Sequence, residues 1–248
     1  MTDITQHNHE IHENLAHWNR KPLLREAYAG FYRAIAAQLG GLPPGQVVEC
    51  GAGVGNLKAT LPHCLATDLF PNPWLDRVEN VYALSFRDGT VAAVILFDVF
   101  HHLQFPGTAL AEIRRTLVPG GRVVIFEPAM GLLGWVILGC FHHEPLGLKH
   151  QITWDAPADF APERQHYYAA QGNAWRVFVR GEHRAKLQGW QIHRVHFLPA
   201  VSYLLSGGFR GPTLLPRWAL PVARCADRMV SLAAKSFASR MLVVLEKT

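Results

Sequence analysis

The chain has 248 residues, 49% hydrophobic and 17% charged, with a formal net charge of +5. That composition predicts a packed core and excludes global disorder; the length fits one large α/β domain or a core with a small cap. Four cysteines (Cys50, Cys64, Cys140, Cys225) share no C-x-x-C spacing and read as free thiols in a reducing compartment, not as a disulfide framework.

Residues 1–20 are polar and carry His7, His9, Glu10, His12 and His17 without the apolar stretch of a signal peptide, so cytoplasmic residence is expected. No zinc-type pair on a fixed scaffold is visible there, and a mobile or lid-forming arm is the reading. A helix is predicted from Pro22 to about Leu39, with Leu23, Leu24, Tyr28, Phe31, Tyr32 and Ile35 as its apolar stripe; Gly40-Gly41 and Pro43-Pro44 stop it. Val47 and Val48 then suit a buried strand that runs into a glycine-rich turn holding Gly51, Ala52, Gly53, Gly55 and Asn56. Glu49 sets an acceptor at the strand's carboxyl end, where open α/β sheets bind ligands.

Cys64–Thr67 is a short strand closed by Asp68 and Leu69, and Val91–Phe97 is the most convincing buried strand. A helix over Thr108–Leu117 ends at Pro119-Gly120-Gly121, and Arg122–Phe126 forms the next strand. Ala129–Phe141 is nearly all apolar yet falls short of the ~18 residues of a membrane span, so it reads as a buried or interfacial helix. A helix at Glu182–Leu187, a strand at Gln191–Phe197 and a last strand at Arg240–Leu245 complete the pattern. The β–α–β–α order predicts a doubly wound parallel sheet with right-handed crossovers. Two long insertions, near 128–180 and 199–238, both follow strands and are expected to roof the ligand cleft.

Charge is concentrated at one end: from Ala200 to Thr248 there are seven Lys/Arg and two Asp/Glu. Arg217, Arg224, Arg228 and Lys235 superpose on one helical face at ~100° per residue. Pro221 is expected to start that helix. Two readings stay open: a helix packed on the domain through Met229, Leu232, Ala233 and Phe237 with a solvated basic face, or a basic amphipathic helix near 221–238 on anionic lipid. The second would add a peripheral site at the inner membrane face.

The glycine spacing separates cofactors. A dinucleotide fingerprint wants its third glycine at position 56; it stands at 55, and Asn56 follows. Glu-x-Gly-x-Gly-x-Gly resembles the first motif of the class I S-adenosylmethionine (SAM) methyltransferases, with a nicotinamide or flavin site as the alternative. Asn80-Val81-Tyr82-Ala83-Leu84-Ser85-Phe86 resembles the family's adenine-lining Asp-Ala-x-x-Leu-Pro-Phe, with Asn for Asp and the proline lost. Phe97-Asp98-Val99-Phe100-His101-His102-Leu103 is similar to the Asp-Val-Leu-His-His-Leu of the small-molecule group (UbiE and methyltransferase type 11-like), and Arg114–Arg122 matches the helix–turn–strand that follows. The resemblance covers residues ~22–128.

That resemblance implies a Rossmann-like, seven-stranded, mostly parallel sheet with helical lid insertions. It divides the chain into an arm and cover helix (1–40), a SAM-binding core (41–128), an acceptor-site lid (129–180) and a C-terminal part of the core with the second insertion (181–248). It implies a cofactor site of Glu49, Gly51, Ala52, Gly53, Gly55, Asn56, Asp68, Leu69, Asn80, Val81, Phe97, Asp98 and Val99, with Asp68 on the ribose and Asn80 toward the adenine. The expected reaction is O-methylation of a small apolar, aromatic or lipid-like acceptor. The expected base is His102 or His143, because histidine titrates near neutral pH; the alternative for either His-His pair is a structural or cofactor-bonding role. Trp18, Tyr28, His142, Glu144 and Phe209 are candidates for the acceptor site, and the insertion aromatics Trp135, Phe141, Trp154, Tyr167, Tyr168 and Trp175 suit either an acceptor pocket or the core. No metal and no nucleic acid are expected: His-His turns give no fixed ligand face, and the positive charge sits in one tail. Two rival functions remain at this point, a nicotinamide-dependent reductase and a non-catalytic SAM-binding protein at a membrane surface.

Overall fold

The computed structural model describes residues 4–141, 144–164 and 167–248. Among them, seven strands form one sheet: β1 (Gln46–Cys50), β2 (Leu65–Asp68), β3 (Arg77–Val78), β4 (Val91–Phe97), β5 (Leu117–Pro128), β6 (Trp190–Leu198) and β7 (Arg240–Lys247). Their order is β3-β2-β1-β4-β5-β7-β6. Strands β3, β2, β1, β4 and β5 pair in parallel, while β7 pairs antiparallel with both β5 and β6. The strand order reverses at β1 and β4, so a crevice opens beyond their carboxyl ends. Both the glycine turn and the His-His turn lie there.

Strand β4 is all but continuously buried, which its unbroken Val-Ala-Ala-Val-Ile-Leu-Phe run dictates. Its two faces feed separate cores. On one, Ile95, Val124, Phe126, Leu242 and Val244 meet Leu24, Tyr28, Phe31, Tyr32 and Ile35 of α2 (Pro22–Ala36). On the other, Val94, Leu96, Val123, Ile125 and Val243 meet Leu110 and Ile113 of α3 (Pro106–Thr116). Each such Leu, Ile or Phe contributes roughly 1.5–3 kcal/mol on burial. The second core also takes in Trp154, Trp175 and Phe178, so Trp154 and Trp175 are core residues and not pocket walls. Gly107 makes room for Trp154: a Cβ there would lie 2.2 Å from the indole nitrogen.

The structure departs from the sequence reading in two places. Between β1 and β2 the only helical element is a four-residue 3-10 turn, Asn56–Ala59. The predicted helix at Glu182–Leu187 is likewise only a 3-10 turn, Arg184–Lys186. The N-terminal arm is an ordered helix, α1 (Ile4–Arg20), whose end is pinned by Lys21. The Lys21 ammonium donates to the carbonyls of Gly208 (2.7 Å), Phe209 (2.9 Å) and Gly211, tying the arm to the second insertion.

The other departure concerns the basic helix. After α4 (Leu132–Phe141), α5 (Asn173–Phe178) and α6 (Val201–Leu205), α7 spans Leu220–Ser231 and α8 spans Ala234–Phe237. A helix packed through Met229, Leu232 and Phe237 would hide them, yet they are 68%, 92% and 37% exposed. Small Ala223 faces inward instead. Leu132, Trp135 and Val136 of α4, which packs beside α8, are exposed as well. No helix among the described residues is long and apolar enough to cross a membrane.

Candidate active site

Strand β1 ends at Cys50, and the chain then turns back on glycines. Gly51, Gly53 and Gly55 all hold positive φ (79°, 56° and 67°), a region that costs other residues. At Gly51 the reason is also steric, since a Cβ would stand 2.3 Å from Val99 Cγ2. At Gly53 nothing lies within 4 Å, so the space above it is open to a ligand. The turn is braced by Asp68, whose carboxylate accepts from the backbone N–H of Gly53 (2.9 Å) and Leu69 (2.7 Å). Ala52 N–H donates to Thr67 O at 2.9 Å, and Asn56 opens the 3-10 turn. Asp68 thus shapes the turn and keeps a carboxylate at the mouth of the crevice.

Glu49 is 4% exposed, and its Oε2 has no hydrogen-bond partner. Burial, then the neighbouring Asp68 carboxylate, pushes its acid up to about 8. An orphaned buried acceptor at the crevice, beside a glycine with empty space over it, fits a cationic or donor-bearing small molecule. Asn80, expected toward the adenine, is fixed at both ends: Oδ1 accepts from Tyr82 N–H (3.0 Å) and Nδ2 donates to Pro162 O (3.0 Å). Val81 packs against the core beside it. Pro162 belongs to the first insertion, which thus contacts Asn80.

Beyond β4 the chain makes a second sharp turn. Asp98 takes φ +55°, and its carboxylate pairs with the guanidinium of Arg240, the first residue of β7. Arg240 is 7% exposed and lies 4.9 Å from the Tyr203 ring centroid. Phe97 is stacked on Phe126 (centroids 4.9 Å, 12°) and meets Tyr28 at 5.4 Å. Tyr28 in turn touches Trp18 (5.4 Å), Phe209 (5.6 Å) and Tyr203 (6.0 Å). Trp18, Tyr28 and Phe209, named from sequence for the acceptor site, are therefore one cluster. Arg240 was not named, although a lone arginine opening an apolar strand was its signal.

The two histidines differ sharply. His101 is buried, and its Nδ1 meets Glu127 Oε2 at 2.7 Å; Glu127 Oε1 accepts from Phe100 N–H at 2.6 Å. Burial alone would push this imidazole down, but the Glu127 carboxylate and its hydrogen bond, with Glu144 behind them, hold it up at about 10. His102 points Nδ1 at Tyr168 O (2.9 Å). A carbonyl only accepts, so Nδ1 carries the proton and Nε2 carries the lone pair. Burial and the charged His101 lower it to about 4. His102 is thus a neutral base at pH 7, while His101 is a cation.

Glu144, from the first insertion, joins them: Oε2 lies 3.6 Å from His101 Nε2 and Oε1 lies 3.9 Å from His102 Nε2. Tyr167 O–H and Gln171 Nε2 also donate to its carboxylate. Although burial opposes ionisation, these donors and the histidines hold the acid well below the usual carboxylate range. His142 and His143 lie outside the described residues. The insertion's other aromatics divide: Trp135 faces out, whereas Tyr167 borders His102 with ring centroids 5.5 Å apart. Glu127 and Gln171 were not foreseen, because nothing local marks them as site residues.

Residues 48–125 match the family model described as a methyltransferase domain. That stretch is about a third of the chain, and the fold around it is that of SAM-dependent methyltransferases. A methyltransferase-domain match opposes the nicotinamide reading, and similar structures hold SAM or S-adenosylhomocysteine. Among solved structures, a geranyl diphosphate C-methyltransferase from Streptomyces coelicolor A3(2) is similar in fold. Its TM-score is 0.52 at 13% identity, over 89% of this chain and 76% of that one. A possible histamine N-methyltransferase from Thermotoga maritima gives 0.53 at 14%, over 96% and 99%. By sequence, an uncharacterised 37.1 kDa protein in a Streptomyces fradiae transposon is 41% identical over 49 residues, which span 20% of this chain and only 14% of that protein.

Proposed function

We propose that this methyltransferase transfers the methyl group of SAM to a hydroxyl of a small apolar, aromatic or lipid-like acceptor. The observation that carries the reading is His102: a neutral imidazole, its tautomer fixed by Tyr168 O, with Nε2 available beyond the carboxyl end of β4. A hydroxyl must lose its proton as it attacks, and a positioned base supplies that step. SAM brings a methyl group already activated on a sulfonium. Glu49, Gly51, Gly53 and Asp68 would hold it, with Asn80 and Val81 at the adenine end and Phe97, Asp98 and Val99 along the crevice floor. The Trp18–Tyr28–Phe209 cluster, closed by the Lys21 clasp, supplies the apolar wall for the acceptor.

The finer partner reading is peripheral contact with an anionic membrane. Val222, Met229 and Leu232 recur at helical spacing on the outer face of α7, with Trp218 one turn earlier and 80% exposed. Exposed Arg228 and Lys235 flank that stripe, while Arg224 pairs with Glu26 of α2. An outer face that is apolar with basic margins suits the headgroup boundary, where both terms are favourable. An acceptor drawn from the bilayer would then reach the site without crossing water.

Isothermal titration with SAM, followed by transfer of labelled methyl to candidate alcohols and phenols, tests the first reading. Expected are saturable SAM binding and an ether product; His102→Ala should lower kcat about 10²–10⁴-fold with the SAM Kd unchanged. No saturable binding ends the reading, and a methyl found on carbon or nitrogen ends its O-methylation part. Co-sedimentation with phosphatidylglycerol vesicles, but not phosphatidylcholine ones, tests the membrane contact. Equal pelleting of wild type and Trp218→Ser/Leu232→Ser would remove it.

A further inference from the structure

The His101–His102–Glu144 cluster has a geometry that a general base does not need. Both imidazoles have Nδ1 occupied from behind, His101 by Glu127 Oε2 at 2.7 Å and His102 by Tyr168 O at 2.9 Å. Both therefore turn Nε2 toward one carboxylate, at 3.6 and 3.9 Å. That is how metal-binding histidines are held: the far nitrogen donates to a carboxylate or a carbonyl, which fixes the ring and raises its basicity. Glu144 is oriented in the same fashion by Tyr167 O–H and Gln171 Nε2.

We propose that His101 Nε2, His102 Nε2 and the Glu144 carboxylate bind one divalent first-row transition-metal ion. The three ligand atoms lie within 4.8 Å of one another. Ligands about 2.1 Å from a tetrahedral ion stand about 3.4 Å apart, near the 3.6 Å from His101 Nε2 to Glu144 Oε2 and the 3.9 Å from His102 Nε2 to the other oxygen, Oε1, so a small turn of the carboxylate serves both. Two imidazoles and one carboxylate suit Zn²⁺, Fe²⁺ or Co²⁺ better than Mg²⁺ or Ca²⁺, which take oxygen ligands. The opposite side of His101 is already taken, because Glu127 serves Phe100 N–H and Asp98 serves Arg240. His102 keeps 34% of its side chain exposed, which leaves coordination positions facing the crevice.

The site itself stands on this geometry alone. Its consequence rests on the acceptor reading above: an acceptor oxygen on the ion would lose its proton more readily, and His102 would act as a ligand in the loaded enzyme and as a base in the metal-free one.

The test is titration of chelator-dialysed full-length protein with Co²⁺, followed by visible absorption, with SAM binding measured on the same samples. Wild type should bind one equivalent with the bands of a histidine-ligated ion, and Zn²⁺ should abolish them. His102→Gln and the near-isosteric Glu144→Gln should each weaken binding at least tenfold while SAM still binds, which shows the fold intact. The arm variant His9→Gln/His12→Gln should titrate as wild type. Absence of saturable bands, unchanged affinity in either ligand variant, or loss of the bands in the arm variant overturns the proposal. SAM binding without Co²⁺ binding removes the metal and leaves the methyltransferase reading standing; failure to bind SAM strikes that reading instead.

Discussion

The two sides of the crevice are built in opposite ways. The side proposed for the cofactor is made almost wholly of backbone from one short stretch, Glu49 to Leu69, with glycines at positive φ and one carboxylate bracing the turn. The side proposed for the acceptor is made of charged and aromatic side chains from segments far apart in the chain: His101 and His102, Glu127, Glu144, Tyr168 and Gln171, then Tyr28, Tyr203 and Arg240. A cofactor common to many enzymes can be met by one local backbone shape. An acceptor particular to one enzyme needs side chains that only the folded chain brings together.

If the cofactor side is indeed backbone-built, its glycines should be the least replaceable residues. Gly51→Val places a β-branched residue at φ +79° with its Cβ against Val99. Left-handed backbone costs roughly 1–2 kcal/mol and overpacking a further ~1–3 kcal/mol. Chemical denaturation should show that loss, and calorimetry should find SAM binding gone. Gly53→Ala, with open space around it, should stay folded within about 1–2 kcal/mol and lose SAM affinity only. Equal destabilisation by both would break the contrast.

The next effect lies on the acceptor side. Arg240→Leu leaves Asp98 without its partner, and stability should fall by about 3 kcal/mol, the low end for a buried pair. Restoring charge balance with Asp98→Asn on top should recover part of the loss, a coupling that a double-mutant cycle reads directly. Purely additive losses would mean that the pair does not organise this end of β4.

Titration separates the two sides further. Glu49 rests at about 8 in the folded protein against 4.5 unfolded. The native state therefore keeps a proton that the unfolded chain has lost, and stability from this group declines as pH rises from about 4.5 through about 8. His101 is raised from 6.5 to about 10 and has the same sign in a higher window: its contribution is complete below 6.5 and gone above about 10. Melting temperature against pH should thus lose the lower decline in Glu49→Gln and the upper one in His101→Asn. A curve unchanged by Glu49→Gln would show that the acid is not buried as described.

The smallest expected effect is at the surface. Leu232 is 92% exposed, so Leu232→Ser should shift stability by less than about 0.5 kcal/mol while reducing sedimentation with anionic vesicles. A large stability loss would mean that α7 is covered by protein in solution.

Particular residues show what was readable. The Val91–Phe97 run and the Pro-Gly-Gly before Arg122 announced strands whose neighbours then fixed the sheet. The glycine at 55 in place of 56 pointed away from a dinucleotide. By contrast, the helix expected at Glu182–Leu187 is only a 3-10 turn, Arg184–Lys186, because local pattern does not fix how long a helix runs. Met229 and Leu232 were legible as an apolar helical face, but not the direction in which it points. Ala223 decided that, by fitting close to the domain where a larger side chain would not.

The sequence by itself determined the α/β order, the glycine turn with its acid and the His-His turn, since each depends on neighbours within a few residues. Only the tertiary structure decided which histidine carries charge, that Glu144 bridges the pair and that Arg240 answers Asp98. Those outcomes depend on burial and on distances of a few ångströms between segments separated by tens of residues. A linear pattern encodes neither quantity.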